Sequence, residues 1–114
     1  MEIRENENVY IIAPLSERLD EKTFNRIEAE IMKEKRKVAL DLSYVQDCSA
    51  EFIENIRSIA QNRFLGIFNI PSDIFVLFNM MNLDKSAKLF VSEGDFEENS
   101  RQLINRRFSL VKTF

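Results

Sequence analysis

The stretch from Val38 to Ile59 constrains the fold most, because the spacing of its apolar residues changes once along its length. Its first part, Val38 to Leu42, is an apolar run interrupted only by Asp41, which is typical of a strand buried on both faces. Further on, apolar residues recur every three or four positions, at Phe52, Ile53, Ile56, Ile59 and Ala60. That spacing predicts one buried face of a helix. The sequence therefore predicts a buried strand that leads through a turn into an amphipathic helix.

The turn before this helix brings three residues, Ser49, Ala50 and Glu51, to the amino end of the helix. Free backbone N–H groups at such an end favour oxygen acceptors and negative charge. We therefore expect function at this end. Ser49 has two interpretations, a phosphate acceptor or the N-cap of the helix, and the cap is the commoner role of a serine at this position.

The composition fits one globular domain over residues 1–114, with 45% hydrophobic and 31% charged residues. The net charge is only −3, and Lys and Arg are scattered among acids, so we expect no nucleic-acid partner. No apolar run approaches the roughly 20 residues that span a bilayer. The amino terminus also lacks a basic region followed by an apolar one, so we expect no membrane insertion and a cytoplasmic location.

The chain contains one cysteine and no histidine. A single cysteine cannot form an internal disulfide, which agrees with the cytoplasm. The lack of histidine removes the commonest general base and the commonest metal ligand. The sequence therefore predicts a non-enzymatic protein without a metal or another cofactor.

Further strands and helices are predicted along the rest of the chain. Strands are expected around Ile3 and at Val9 to Ala13, Phe64 to Ile70 and Ala87 to Val91. A helix is expected after Asp20, with Phe24, Ile27, Ile31 and Met32 facing inward. A second is expected after Pro71, with Ile74, Leu77, Phe78 and Met81 inward. A third is expected after Gly94, with Phe96, Leu103 and Ile104 inward. The closing segment 108–114 is an edge strand or a tail. Strands that alternate with helices predict an α/β fold with a mostly parallel sheet of four to five strands and about four helices.

Three stretches, in this order, resemble the STAS domain family, the fold shared by bacterial anti-sigma factor antagonists and the cytoplasmic tails of sulphate transporters. Leu15 to Asp20, read LSERLD, is similar to the loop after the family's second strand. Val38 to Val45 resembles its central strand, and Leu77 to Leu83 resembles a later helix and turn. The resemblance covers about residues 8–98 and implies a STAS-like single domain.

The resemblance also implies a switch, since members of the family carry a serine that a partner kinase phosphorylates, within an Asp-Ser-Ser/Ala-Gly-Leu stretch at a helix start. Without a gap, Ser49 takes the aspartate position, Ala50 the phosphorylated serine, and Ile53 the leucine. With a shift of one or two residues, Ser49 itself becomes the acceptor. Hydrophobic burial favours the ungapped register, in which Ala50 has no oxygen to accept a phosphoryl group. The predicted switch position is then degenerate and not phosphorylatable.

The resemblance implies a protein-interaction module for signalling and transcription regulation, with an anti-sigma factor or a serine-kinase-like protein as partner. A subunit of a transporter or of a multi-protein scaffold is the alternative. Glu17 replaces the glycine of the family's partner-facing loop, which adds bulk and charge there. The predicted partner-binding residues are Ser16, Glu17, Arg18, Asp20, Ser49, Ala50, Glu51 and Phe52.

Two side-chain types leave an enzyme open as a third alternative. Cys48 is either a low-pKa thiolate beside a helix amino end or a buried core residue, and its place at the end of a buried segment favours the core. Asp41 and Asp47 are either a metal pair or turn-forming residues, and the lack of a third ligand at suitable spacing favours turns.

The predicted helix after Pro71 is apolar nearly all round, with Phe75, Val76 and Met80 off its inward face. Such a helix is buried on more than one side or presents a patch to another chain. We therefore predict a possible interface at these three residues, for a partner or for a homodimer. The alternative is that a loop or the segment 108–114 covers them.

Overall fold

The computed structural model describes residues 1–98. Its strands are β1 Glu2–Glu5, β2 Val9–Ala13, β3 Arg18–Leu19, β4 Lys37–Asp41, β5 Asp47–Cys48, β6 Leu65–Phe68 and β7 Lys88–Leu89. Its helices are α1 Glu21–Lys33, α2 Ala50–Ala60, α3 Ser72–Met80 and α4, which is described over residues 93–98; a 3-10 turn covers Leu83–Lys85.

The main sheet has the strand order β1-β2-β4-β6-β7. Strand β1 is antiparallel to β2, and a tight turn joins them, in which the Asn6 side-chain oxygen accepts the Asn8 and Val9 backbone N–H groups at 2.8 Å. The other pairs are parallel, and α1, α2 and α3 form the crossovers between them. The predicted α/β class and mainly parallel sheet are confirmed.

Helices α1, α2 and α3 cover the first face of the sheet. Alternate residues of β2, β4 and β6, such as Ile12, Leu40 and Ile67, point to this face because side chains alternate along a strand. They meet the inward faces of the helices, for example Phe24 and Ile56. This face holds most of the core of the described residues.

Helix α4 covers the second face with one buried aromatic ring. Phe96 stacks on Phe68 with ring centroids 5.6 Å apart and packs over Ala39 and Gly66. A Cβ atom added to Gly66 would lie 2.8 Å from the Phe96 ring. The glycine at this position therefore lets α4 approach the sheet.

Several predicted details differ from the structure. Met32, predicted inward, is exposed on α1, and the strands predicted at Phe64 to Ile70 and Ala87 to Val91 are shorter. Apolar residues can flank a strand without joining its hydrogen-bond ladder, which explains the overlong predictions. Leu103, Ile104 and the segment 108–114 lie outside the described residues.

Candidate functional site

Two segments that lie far apart in the sequence meet at the amino end of α2. Strands β3 and β5 form a short parallel ladder that places Arg18 beside Asp47 and Leu19 beside Cys48. The backbone oxygen of Glu17 accepts the N–H groups of Gln46 and Asp47 at 2.7 and 3.0 Å. These main-chain bonds join the predicted partner-facing loop to the start of α2.

A further main-chain bond extends the ladder into the helix itself, since the Ser49 N–H donates to the Leu19 oxygen at 2.9 Å. Ser49 has extended backbone angles, and its hydroxyl oxygen accepts the Phe52 N–H at 3.1 Å. The N-cap prediction for Ser49 is therefore confirmed. Its alternative role as a phosphate acceptor stays a prediction.

The first turn of α2 divides into exposed and buried side chains. Ala50 and Glu51 are exposed, as a contact surface requires. Phe52 is only 1% exposed and packs edge-on against Phe24, with ring centroids 6.0 Å apart. The prediction that Phe52 binds a partner is therefore wrong, because its inward position on α2 places the ring in the core.

The loop between β2 and β3 supplies the other half of the surface. Ser16, Glu17 and Arg18 are exposed, and the Arg18 guanidinium lies 2.8 Å from the Asp47 carboxylate. Leu15 and Tyr44 are each 53% exposed, although both are large and apolar. We call the exposed residues of these segments the ladder surface, and they are Leu15, Ser16, Glu17, Arg18, Tyr44, Asp47, Ala50 and Glu51.

Asp20 was predicted to contact a partner, but its carboxylate is used within the fold as a helix cap. Its side chain caps α1 by accepting the Thr23 backbone N–H at 3.0 Å and the Thr23 hydroxyl at 3.1 Å. The backbone hydrogen bond from Thr23 lowers the pKa of Asp20. Asp20 nevertheless stays exposed at the border of the ladder surface.

A cleft of about 490 Å³ lies next to the Leu15 end of the ladder surface. Its lining includes three cationic side chains, those of Arg18, Lys22 and Arg26. Within the ladder surface itself, Glu17, Asp47 and Glu51 are acidic and Arg18 is the basic residue, paired with Asp47.

Cys48 lies beneath this surface in the core. Burial of the thiol, assisted by the charge of Asp47, raises the pKa of Cys48 to about 12. Its sulfur donates to the Ser49 backbone oxygen at 3.6 Å. The core interpretation is confirmed, and the alternative of a low-pKa thiolate is wrong.

Asp41 belongs to a polar cluster on the second face of the sheet. One carboxylate oxygen accepts from the Ser43 N–H, the Ser43 hydroxyl and the Asn69 amide, and the other accepts from Arg4 at 2.8 Å. Burial raises the pKa of Asp41, but the bonds from Ser43 and Asn69 outweigh it and leave the pKa below its usual value. Arg4 also lies 2.6 Å from Glu93 at the start of α4.

The turn interpretation of Asp41 is confirmed by its bond to Ser43, while the sequence analysis missed Arg4 and Glu93 entirely. Asp41 and Asp47 bind different partners, Arg4 and Arg18, so they do not act as a pair. Within residues 1–98, no three His, Cys, Asp or Glu side chains form a group able to hold a metal ion.

The predicted interface on α3 is exposed on the described part of the chain. Phe75 is 40%, Val76 is 56% and Met80 is 74% exposed, while Ile74 and Phe78 are buried on the inward side. Any contact with the segment 108–114 lies outside the described residues.

Tyr44 was missed by the sequence analysis, although an aromatic residue within a polar turn is a usable signal for a contact residue.

No protein-family model matches this chain, and no curated protein matches its sequence. None of the helices in residues 1–98 combines the length and apolar character that crossing a membrane requires.

Proposed function

We propose that this protein is a non-enzymatic STAS-type interaction module, similar to an anti-sigma factor antagonist, which acts in the cytoplasm by docking a protein partner on the ladder surface. The observation that supports this most is the β3–β5 ladder. It joins the loop from Leu15 and the amino end of α2 by main-chain bonds, including the 2.9 Å bond from Ser49 to Leu19.

A surface held by main-chain hydrogen bonds is suited to binding because little of it has to be ordered when a partner arrives. Ordering loops and side chains is a major cost of association, and a preformed surface reduces that cost. Leu15 and Tyr44 supply apolar anchors, and Glu17, Arg18 and Glu51 supply charges around them. Buried anchors with a polar rim are the usual arrangement of a protein interface.

In the proposed function, phosphorylation regulates binding at the ladder surface less than it does in the STAS family. Ala50 has no oxygen to accept a phosphoryl group, and the Ser49 hydroxyl serves as the N-cap of α2, where it accepts the Phe52 N–H. Glu51 places a permanent negative charge in the first turn of α2, where it is favourable by roughly 0.3–1 kcal/mol. The charge of this surface is therefore fixed, and phosphorylation does not switch it.

Binding to a purified serine-kinase-type anti-sigma factor, measured by calorimetry, tests the docking surface. We expect Leu15→Asp to weaken binding by about 10- to 100-fold, because it places a charge at an apolar anchor. Met32→Asp is the matched control, since Met32 is equally apolar and exposed but lies on the outer side of α1. If Met32→Asp abolishes binding and Leu15→Asp does not, the partner binds elsewhere.

Kinase treatment followed by intact-mass measurement tests the degenerate switch. We expect no phosphate on the native chain and one phosphate on the Ala50→Ser variant, which restores an acceptor in the ungapped register. A phosphate on native Ser49 that disappears in Ser49→Ala would establish the shifted register and regulated docking.

A further inference from the structure

Strand β7 ends the described sheet and leaves one edge for another strand. It pairs with β6 through Gly66 opposite Lys88 and Ile67 opposite Leu89. The Phe90 N–H donates to the Ile67 oxygen at 2.9 Å, so it points toward β6. Backbone groups alternate along a strand, so the Leu89 N–H and C=O point to the outer edge, which no described residue pairs. Such an edge readily pairs with another chain.

An apolar groove of about 350 Å³ runs between this edge and α3. Phe75 and Asn79 line it from the helix, and Leu89 of β7 and the adjacent Phe90 line it from the other side. Val76 and Met80 on α3, and Val91 after β7, are further exposed apolar side chains. We call the groove the edge groove, and its lining residues are Phe75, Asn79, Asp84, Ala87, Lys88, Leu89 and Phe90.

The charges of the edge groove complement each other. Asp84 and Lys88 both line it, and both are exposed. In a two-fold interface the same surface of both copies is used. If residue i of one copy contacts residue j of the other, then residue j of the first copy also contacts residue i of the second. A groove with one acid and one base can therefore form two opposite-charge pairs with itself, whereas a groove of a single charge sign repels its copy.

We propose that two copies of this chain associate around a two-fold axis through the edge groove. Phe75 and Leu89 lie at the centre of the interface, and Asp84 of each copy faces Lys88 of the other. The interface uses α3 and β7, whereas the ladder surface uses β3, β5 and the start of α2. One module can therefore hold a second copy and a partner together.

Sedimentation of the full chain over a range of concentrations measures this association directly. We expect a monomer–dimer equilibrium in the native chain and a monomer in the variant that combines Phe75→Asp with Val76→Asp. Met32→Asp is the control, because it makes the same apolar-to-acid change on α1. A native chain that stays monomeric at every concentration overturns the proposal.

A charge exchange tests the two-fold pairing itself. We expect Lys88→Asp or Asp84→Lys alone to weaken dimerisation on the order of tenfold or more, because each sets like charges opposite one another. The double variant restores most of the affinity, since both pairs reform with reversed sign. Lys35→Asp is the control for Lys88→Asp, because it makes the same change in net charge away from the edge groove. A double variant as weak as the single ones overturns the pairing.

The ladder-surface variant Leu15→Asp separates this proposal from the proposed function. We expect it to lose the partner and to dimerise normally, while the Phe75→Asp and Val76→Asp variant shows the reverse. Folding of each variant is checked by its thermal unfolding. Loss of dimerisation in Leu15→Asp would place the self-contact on the ladder surface and overturn the assignment to the edge groove.

Discussion

Helices α2 and α3 both pack on the first face of the main sheet, and they differ in how much of their apolar surface the core buries. Helix α2 buries five residues on one side, and they are Phe52, Ile53, Ile56, Ile59 and Ala60. Helix α3 buries only Ile74 and Phe78 and leaves Phe75, Val76 and Met80 exposed. Packing in the core of the described residues therefore explains why α2 has its apolar residues, but it does not explain the three exposed apolar residues of α3.

The two helices also begin differently. Ser49 caps α2 with its side chain, and the β3–β5 ladder holds the preceding residues. Helix α3 begins after Pro71 without any side-chain cap. One helix thus offers a polar end fixed by backbone bonds, and the other offers an exposed apolar face. We propose the first as the surface for a partner and the second as the contact with a second copy.

The largest effect in this comparison is expected for the matched truncations Phe52→Ala and Phe75→Ala. Removing the buried Phe52 ring should lower the free energy of unfolding by about 3–5 kcal/mol, because it leaves a cavity against Phe24. Removing the exposed Phe75 ring should cost less than about 1 kcal/mol. Urea unfolding at low protein concentration measures both. Equal losses would mean that α3 is covered as fully as α2.

The buried thiol of Cys48, which lies just before α2, predicts that the stability of the fold depends on pH. The folded pKa of Cys48 lies near 12, above the ordinary value of 9.0, so the folded state holds the proton more tightly. Stability is therefore full below about pH 9 and falls as the pH rises toward 12, by up to about 1.4 kcal/mol per pH unit.

The Cys48→Ala variant lacks this contribution and isolates it. Tyr10, whose pKa the hydrogen bond to Glu30 raises to about 12, adds a similar slope to both proteins. The difference between their unfolding free energies should shrink steadily above pH 9. A difference that stays constant with pH would show that the thiol is not buried as described.

The caps provide a smaller and closely matched test. Ser49→Ala should cost about 1 kcal/mol, because it leaves the Phe52 N–H without its acceptor. Ser72→Ala at the start of α3 should change stability by less than about 0.5 kcal/mol, since no side-chain cap is lost. Chemical denaturation compares the two. Equal costs would contradict the described difference between the helix starts.

The smallest effect is expected for Met80→Lys. Met80 is 74% exposed, so a charge there should change the free energy of unfolding by less than about 0.5 kcal/mol. The measurement is the thermal midpoint at low protein concentration. A loss above about 2 kcal/mol would show that another part of the chain packs on α3.

Local sequence determined the longer elements and the helix starts, but not the two-residue strands β3 and β5. Apolar spacing identified β2, β4 and α1–α3, and the residue types at Asp20 and Ser49 identified two caps that the structure contains. These features depend on residues within three or four positions of one another, so they can be recognised without knowing the fold. The mainly parallel sheet followed from the alternation of strands and helices.

Only the tertiary structure decided which distant residues meet. Arg4 pairs with Asp41 across 37 positions, and Arg63 donates to the Ile31 oxygen at the end of α1 across 32. The β3–β5 ladder that forms the ladder surface likewise joins residues 29 positions apart, at Arg18 and Asp47. Such contacts depend on the path of the chain between them, and the apolar period along the sequence carries no information about that path.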